Sequence, residues 1–223
     1  MIVCIADVLS AEQLAEVREL LSRGTYVDGK QTAGWHARLV KDNSQLAGGE
    51  VATRASAIIH NALMESAVFQ AAVRPRHLRS MLFSSYSGGQ TYGSHVDDAL
   101  MRTESGTMRS DVSMTVFLSD PASYEGGELV IEGPGGEQTY KLDAGSVITY
   151  PSTTLHHVAP VTSGTREVAV SWAQSLVRAP EHREILFDLD TARRSLFQRE
   201  GKSAEFDQLS KSHANLLRMW AET

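Results

Sequence analysis

The clearest strand pattern lies in the run Val112-Ser113-Met114-Thr115-Val116-Phe117-Leu118. Apolar and polar residues alternate along it, which predicts a β-strand with one face in a core. Turns rich in glycine and proline follow at short intervals. Further short strands are predicted around these turns at 78–86, 129–131, 139–142, 147–150 and 168–173. Many short strands separated by frequent turns favour a β-sandwich or jelly roll.

Helices are predicted on both sides of this β region. Ser10 and Gln13 form a capping box for a first helix, which Gly24 ends. The segment 25–47 is expected to be irregular, and a second helix to span Val51 to about Val68. Amphipathic helical stretches follow Pro180. The expected fold is therefore mainly β with flanking helices (α+β). N-terminal helices at about 10–68 and a jelly-roll core at about 76–178 form one domain, 1–178, followed by a helical extension, 179–223.

Composition limits the functional class. The chain has 223 residues and a formal net charge of -6, which disfavours nucleic-acid binding because phosphate contacts need clustered cations. No long apolar run or secretory signal is visible, so a cytoplasmic protein without a membrane segment is expected. The single cysteine, Cys4, excludes an intrachain disulfide. Because Cys4 lies in an apolar run, we expect it to be a buried structural thiol.

A set of potential metal ligands lies within the predicted β core. His95 and Asp97 are two residues apart and would share one face of a strand. Together with a later histidine, His156 or its neighbour His157, they form a two-histidine, one-carboxylate set. Such a set leaves metal positions open and is typical of non-haem Fe(II) oxygenases. Strand alternation favours Asp97 over Asp98 as the partner of His95.

Arg166 adds a permanent cation near this set. A guanidinium stays charged when desolvated and can hold a carboxylate with two parallel hydrogen bonds, which suits a dicarboxylate co-substrate. Tyr86 and Tyr92 precede the histidine motif, and either phenol could donate a hydrogen bond to the same co-substrate. A packed tyrosine with its hydroxyl at the surface is the alternative for each. Trp172 is expected to be a core residue.

Two regions of the chain resemble the prolyl-4-hydroxylase-like branch of the 2-oxoglutarate oxygenases. They are the runs 86–97, ending in His95-Val96-Asp97, and 150–166, which contains His156-His157-Val158-Ala159-Pro160-Val161 and Arg166. The glycine turns at 126–129 and 145–148 are also similar. The second run looks especially like the bacterial PKHD-type hydroxylases, and the resemblance extends into the helical tail from about residue 183.

The resemblance implies a double-stranded β-helix with a catalytic iron held by His95, Asp97 and His156, since the family motif selects His156 over His157. It implies that Arg166 binds the distal carboxylate of 2-oxoglutarate, with ascorbate as a reductant. The implied reaction consumes dioxygen, releases succinate and CO2, and hydroxylates a C–H bond of a small-molecule or peptide substrate.

Three questions stay open on the sequence alone. A cupin-like isomerase or sugar-binding module is the alternative function, and it would not need Arg166. The segment 99–109 is expected to form a substrate-covering loop, which leaves the substrate undecided. The amphipathic tail could pack on its own core or on a second subunit, as in a homo-oligomer.

Overall fold

The computed structural model of the protein describes residues 1–103 and 106–222. Within these residues the chain forms five α-helices and sixteen β-strands. The helices are α1 (Ala11–Ser22), α2 (Glu50–Glu65), α3 (Ala67–Val73), α4 (Pro180–Glu200) and α5 (Ala204–Trp220). The strands are β1 (Val3–Ile5), β2 (Tyr26–Asp28), β3 (Lys41–Asp42), β4 (Ser44–Leu46), β5 (Pro75–Leu78), β6 (Leu82–Ser87), β7 (Thr91–His95), β8 (Leu100–Thr103), β9 (Gly106–Arg109), β10 (Val112–Phe117), β11 (Tyr124–Gly126), β12 (Leu129–Gly133), β13 (Gly136–Tyr140), β14 (Val147–Pro151), β15 (His156–Val158) and β16 (Val161–Ser175).

Two antiparallel sheets form the β core. The major sheet has the order β1-β14-β10-β16-β6-β4-β2, with β5 and β11 also paired to β16. The minor sheet has the order β13-β12-β15-β7-β3, and β8 and β9 form a separate hairpin. Apolar side chains from both sheets, such as Phe117, Leu129 and Ile148, meet in one buried cluster between them. This arrangement confirms the predicted jelly roll.

A second apolar cluster lies on the outer face of the major sheet. There α1, α2 and α3 cover the sheet with residues such as Leu21, Ile59 and Phe69. Strand β10 is consequently buried on both faces, with Met114 towards the helices and Phe117 between the sheets. The apolar face is buried as predicted. The face with Ser113 and Thr115 was expected to contact water but is buried too, because it points between the two sheets.

The helical predictions hold with one exception. The capping box of Ser10 and Gln13 is present, and both C-terminal helices form. The predicted second helix is divided at Ser66, which ends α2 and whose side chain accepts a hydrogen bond from the Phe69 N–H at the start of α3. A side chain that caps a new helix competes with continuation of the old one, so the chain turns there.

Several strand boundaries also differ from expectation. The segment 25–47 is not wholly irregular, since it contains β2, β3 and β4. The strand expected at 78–86 is interrupted after β5 and resumes as β6. The predicted loop at 99–109 contains the hairpin of β8 and β9, while Glu104 and Ser105 lie outside the described residues.

Cys4 is exposed, so the prediction of a buried thiol was wrong. Strand β1 lies at the edge of the major sheet, where it pairs only with β14 in the described structure. Ile5 points into the core, and alternation therefore turns Cys4 outward. Among the described helices, none combines the length and the apolar character that a membrane span requires.

Candidate metal centre

Strand pairing brings the two motif histidines together. His95 ends β7, His156 begins β15, and the two residues are direct partners in the antiparallel register. Asp97 lies two residues beyond His95, past the end of β7 rather than on a regular strand as predicted. Potential ligand atoms of the three side chains all lie within 4.8 Å of one another. His156 Nε2 is 3.8 Å from Asp97 Oδ2.

The two alternative ligands considered from the sequence, His157 and Asp98, lie outside this group. His156 is buried, whereas His157 is half-buried and pairs with Val130 on the adjacent position of the strand. Asp98 is exposed, while the Asp97 side chain is 8% exposed. The geometry therefore groups His95, Asp97 and His156 and leaves out the adjacent histidine and aspartate.

Hydrogen bonds orient each of the three side chains. Nδ1 of His95 lies 2.8 Å from the Gly93 carbonyl oxygen, and Nδ1 of His156 lies 3.0 Å from that of Thr154. Because a carbonyl oxygen only accepts, each Nδ1 carries the proton and each Nε2 keeps a free lone pair. Ser113 Oγ donates to Asp97 Oδ2 at 2.5 Å. These contacts fix the tautomer and orientation that metal binding requires.

Burial keeps His95 neutral. Loss of solvent, together with the nearby His156, lowers the pKa of His95 to about 4. An imidazole with that pKa is deprotonated at neutral pH, which is the form that binds a metal ion. The set of two imidazoles and one carboxylate matches the donor preference of a non-haem Fe(II) site.

Arg166 lies in the same cavity without a charged partner. The residue is 1% exposed, and its Nε and Nη1 atoms have no hydrogen-bond partner in the described structure. Its guanidinium carbon is 5.1 Å from the centre of the Tyr86 ring, and burial lowers its pKa. An unpaired buried guanidinium is costly, so this part of the cavity fits a carboxylate ligand.

The two tyrosines named from the sequence occupy different parts of the cavity. Tyr86 is the strand partner of Arg166. Tyr92 stacks on His95 with ring centres 3.7 Å apart, which a bulge between β7 and β15 allows. Burial raises the pKa of both phenols, so each keeps its proton and acts as a donor.

All of these side chains line one cavity of about 290 Å³. The sequence did not identify several other polar residues of its wall, namely Lys41, Gln45, Ser84, Ser113, Thr115 and Tyr150. Ser113 and Thr115 had a usable signal, since they are the polar members of the alternating strand β10. Lys41 had none, because β3 is only two residues long. Burial lowers the pKa of Lys41 to about 8.

Trp172 is not a core residue as expected. It is half-buried and lines the cavity, and the guanidinium carbon of Arg79 lies 5.3 Å from its ring centre. Its indole Nε1 is buried and has no hydrogen-bond partner in the described part of the chain. Trp172 and Arg79 therefore form a wall of the cavity, to which Trp172 brings an unused donor and Arg79 a cation.

The fold and this cavity define the class of protein. Residues 81–174 match the family model of the 2OG-Fe(II) oxygenase superfamily, and residues 181–222 match that of the PKHD-type hydroxylase C-terminal domain. A PKHD-type hydroxylase of Gloeothece citriformis is 56% identical over 222 residues, with 100% of both chains covered. One of Acaryochloris marina is 56% identical over 223 residues, again with full coverage. The chain belongs to the PKHD-type hydroxylase family.

Solved structures share the fold at low sequence identity. A prolyl-4-hydroxylase of Pseudomonas putida has a TM-score of 0.52 and 18% identity, covering 78% of this chain and 92% of its own. A prolyl hydroxylase of Trichoplax adhaerens, in complex with a peptide fragment of the hypoxia inducible factor oxygen degradation domain, has a TM-score of 0.56 and 14% identity. That match covers 83% of this chain and 86% of the other.

These matches decide between the functions considered from the sequence. The protein is an Fe(II)- and 2-oxoglutarate-dependent dioxygenase of the hydroxylase type, with dioxygen and an organic substrate as its partners. The alternative of a cupin-like isomerase or sugar-binding module is not favoured.

Proposed function

We propose that His95, Asp97 and His156 hold the ferrous ion and that Arg166 binds the distal carboxylate of 2-oxoglutarate. The observation that carries this assignment is the buried guanidinium of Arg166, which has free donors in the cavity that the three ligand side chains line. A metal site alone would not need that cation. A dicarboxylate that reaches from the metal to Arg166 would satisfy its unused donors.

Bound iron supplies the oxidative chemistry, in which dioxygen and 2-oxoglutarate are consumed, succinate and CO2 are released, and a substrate C–H bond is hydroxylated. The protein side chains provide geometry. The Gly93 and Thr154 carbonyls hold the two imidazoles, and Ser113 holds the Asp97 carboxylate.

The Ser113 hydroxyl also connects Asp97 to a second serine. Ser113 Oγ lies 2.8 Å from Ser152 Oγ. Because Ser113 has a single hydroxyl proton and Asp97 accepts it, Ser152 acts as the donor to Ser113. Both serines are buried, so this chain of hydroxyls keeps water from replacing the contact to the carboxylate. The proposed role of Ser113 and Ser152 is to fix the carboxylate orientation.

We further propose that the substrate, a small molecule or a peptide, presents a carboxylate or another strong acceptor to Arg79 and Trp172. The support is the buried Trp172 indole N–H, which has no hydrogen-bond partner in the described structure, and the Arg79 guanidinium beside the Trp172 ring. Burial lowers the pKa of Arg79, and the negative charge of Asp98 opposes this effect only in part. An acceptor from the substrate would satisfy donors that the described chain leaves free.

A variant pair tests the iron ligands. Asp97→Ala should fold, bind Fe(II) weakly and release no succinate from 2-oxoglutarate. Asp98→Ala, one residue away and exposed, should keep Fe(II) binding and the slow succinate release that occurs without substrate. Full iron occupancy and turnover in Asp97→Ala would contradict the assignment. The same assay with and without ascorbate tests the predicted reductant.

A ligand pair tests the substrate proposal. N-acetylproline and N-acetylprolinamide differ in the carboxylate alone, so the acid should stimulate succinate release more than the amide. Arg79→Gln should remove that difference without changing the rate in the absence of substrate. A preference for the acid that persists in Arg79→Gln would contradict the role of this arginine.

A further inference from the structure

A second cavity lies where α3, α4 and α5 meet, apart from the iron site. Its volume is about 300 Å³. Helix α3 and the start of β5 form one side, and α4 and α5 form the other. The lining residues with ionisable side chains are Arg74, Asp190, Arg193, Arg194 and His213.

The positive charge of this cavity exceeds its negative charge. Asp190 is the only acidic residue that lines it in the described structure. Both carboxylate oxygens of Asp190 are already used, since Oδ1 accepts from Arg193 Nε at 2.6 Å and Oδ2 from Arg194 Nε at 2.7 Å. Three guanidinium groups therefore face one carboxylate, which leaves two positive charges uncompensated within the cavity.

Arg74 supplies an unused donor. Its Nε is buried and has no hydrogen-bond partner in the described chain, while its Nη2 lies 3.0 Å from Nε2 of His213. Because a guanidinium only donates, His213 must accept through Nε2 and is therefore neutral. The neutral imidazole adds no charge of its own, and Arg74 keeps its positive charge. Arg74 therefore lines the cavity with a donor that no described residue uses.

His213 is surrounded by the same cations. The residue is 6% exposed, and burial is the main cause that lowers its pKa, followed by Arg193 and Arg74. Asp190 opposes this effect and Arg194 adds to it. A neutral histidine held beside three guanidinium groups indicates a positive potential in the cavity.

We propose that this cavity binds a small oxyanion, a carboxylate or a tetrahedral oxyanion such as sulfate or phosphate. Such an ion would accept hydrogen bonds from Arg74 Nε and from the guanidinium N–H groups of Arg193 and Arg194 that do not contact Asp190. Guanidinium groups bind oxyanions with paired hydrogen bonds. The ion would join α3, which packs on the oxygenase core, to the two C-terminal helices. Ligand occupancy would thereby stabilise the contact between the tail and the core.

Sulfate titration tests the proposal on the intact enzyme. Protein loaded with Fe(II) and saturating 2-oxoglutarate under argon has its co-substrate site filled, so sulfate binding can be measured by calorimetry at constant ionic strength. Arg194→Gln removes a cation that is 59% exposed and should fold. It should weaken sulfate binding about tenfold, as expected for the loss of one charge-assisted hydrogen bond.

Arg199→Gln is the matched control. Arg199 lies on the same helix, is exposed and does not line the cavity. This variant should bind sulfate as tightly as the unaltered protein. The absence of saturable binding, or equal affinities in the two variants, overturns the proposal. Succinate in place of sulfate then separates the ligand classes, because the tighter anion identifies the preferred chemistry.

A spectroscopic measurement on the unaltered protein locates the bound ion, and a substitution is used only to assign the resonances. The imidazole resonances of His213, assigned by their loss in His213→Gln, should shift during the sulfate titration with the same dissociation constant as in calorimetry. Unchanged His213 resonances at saturating sulfate overturn the proposal, even where calorimetry shows binding.

Discussion

Replacing Arg166 with methionine separates a co-substrate role from a structural one. Arg166 is 1% exposed, and the Nε and Nη1 atoms of its guanidinium have no partner in the described structure. A hydrogen bond to a charged group contributes about 1.5–3 kcal/mol, so two bonds to a carboxylate contribute about 3–6 kcal/mol. Arg166→Met should therefore bind 2-oxoglutarate at least about 100-fold more weakly than the unaltered enzyme.

The same substitution should not destabilise the protein in the absence of co-substrate. Without a ligand, burial of the Arg166 charge is not compensated, and burial accordingly lowers its pKa. Methionine has a similar volume and carries no charge, so this desolvation penalty disappears. We expect the free energy of unfolding of the unliganded Arg166→Met protein to equal or exceed that of the unaltered protein.

Arg183 is the matched control, because it is a buried arginine whose donors are used. It is 4% exposed, and its Nη1 donates to the carbonyl oxygens of Val177 and Arg178 at 2.8 Å each. Arg183→Met leaves these acceptors without a donor. It should lower the free energy of unfolding by roughly 2–4 kcal/mol and leave the affinity for 2-oxoglutarate unchanged.

Two measurements on each variant decide the matter. Calorimetry under argon gives the dissociation constant for 2-oxoglutarate, and urea unfolding without ligand gives the free energy of unfolding. Unchanged co-substrate affinity in Arg166→Met would refute the assignment of this residue. So would a loss of stability as large as that in Arg183→Met, since the guanidinium would then have structural partners.

The remaining predictions concern the metal ligands and the single cysteine. Ser113→Ala removes the hydrogen bond to Asp97 and should weaken Fe(II) binding about 10- to 100-fold. The control Ser119→Ala removes a contact to β16 and should leave Fe(II) binding unchanged. Equal Fe(II) affinities in the two variants would contradict the role of Ser113. In chelator-treated protein, His95 has a pKa lowered to about 4 when folded and an ordinary value near 6.5 when unfolded, so the unfolded state binds more protons between these values. The free energy of unfolding, measured with urea, should therefore be highest above pH 6.5 and should fall as the pH approaches 4. It should fall less steeply with pH in His95→Gln, and an identical pH dependence in the two proteins would contradict the lowered pKa of His95. Cys4 should react fully with a thiol reagent in the folded protein without loss of activity, but slowly because burial raises its pKa; protection until unfolding would contradict its exposure.

The grouping of the proposed ligands could be predicted because each lies in a region with a strong local pattern. His95 and Asp97 form a short motif, and Arg166 lies just before the clear strand pattern at 168–173. What the sequence could not supply is the partner of each strand. The direct pairing of His95 with His156, and of Tyr86 with Arg166, is a matter of tertiary register.

The errors in the fold prediction share one physical origin. Alternation reports how a strand is buried only when one side of its sheet contacts water. Strand β10 has helices on its apolar side and the minor sheet on its polar side, so its polar and apolar residues are all buried. Cys4 shows the opposite error. It lies in an apolar run and was expected to be buried, but in the edge strand β1 its side chain points outward. Strands as short as β3 carry too few residues for any period to be visible, which hid Lys41.

The glycine turn before β12 shows how the fold maintains an unpaired cation at the site. Gly127 has φ +69°, and a Cβ built there would lie 2.9 Å from Cδ of Arg166 and 2.8 Å from Cγ2 of Val161. The turn therefore needs glycine for its conformation and for the space that the Arg166 side chain occupies. The glycine turn packs against the aliphatic part of Arg166, and Nε and Nη1 of the guanidinium have no hydrogen-bond partner in the described structure. Burial of this charge costs stability, which the two apolar clusters supply elsewhere in the fold; the proposed role of Arg166 in binding a carboxylate would account for that cost.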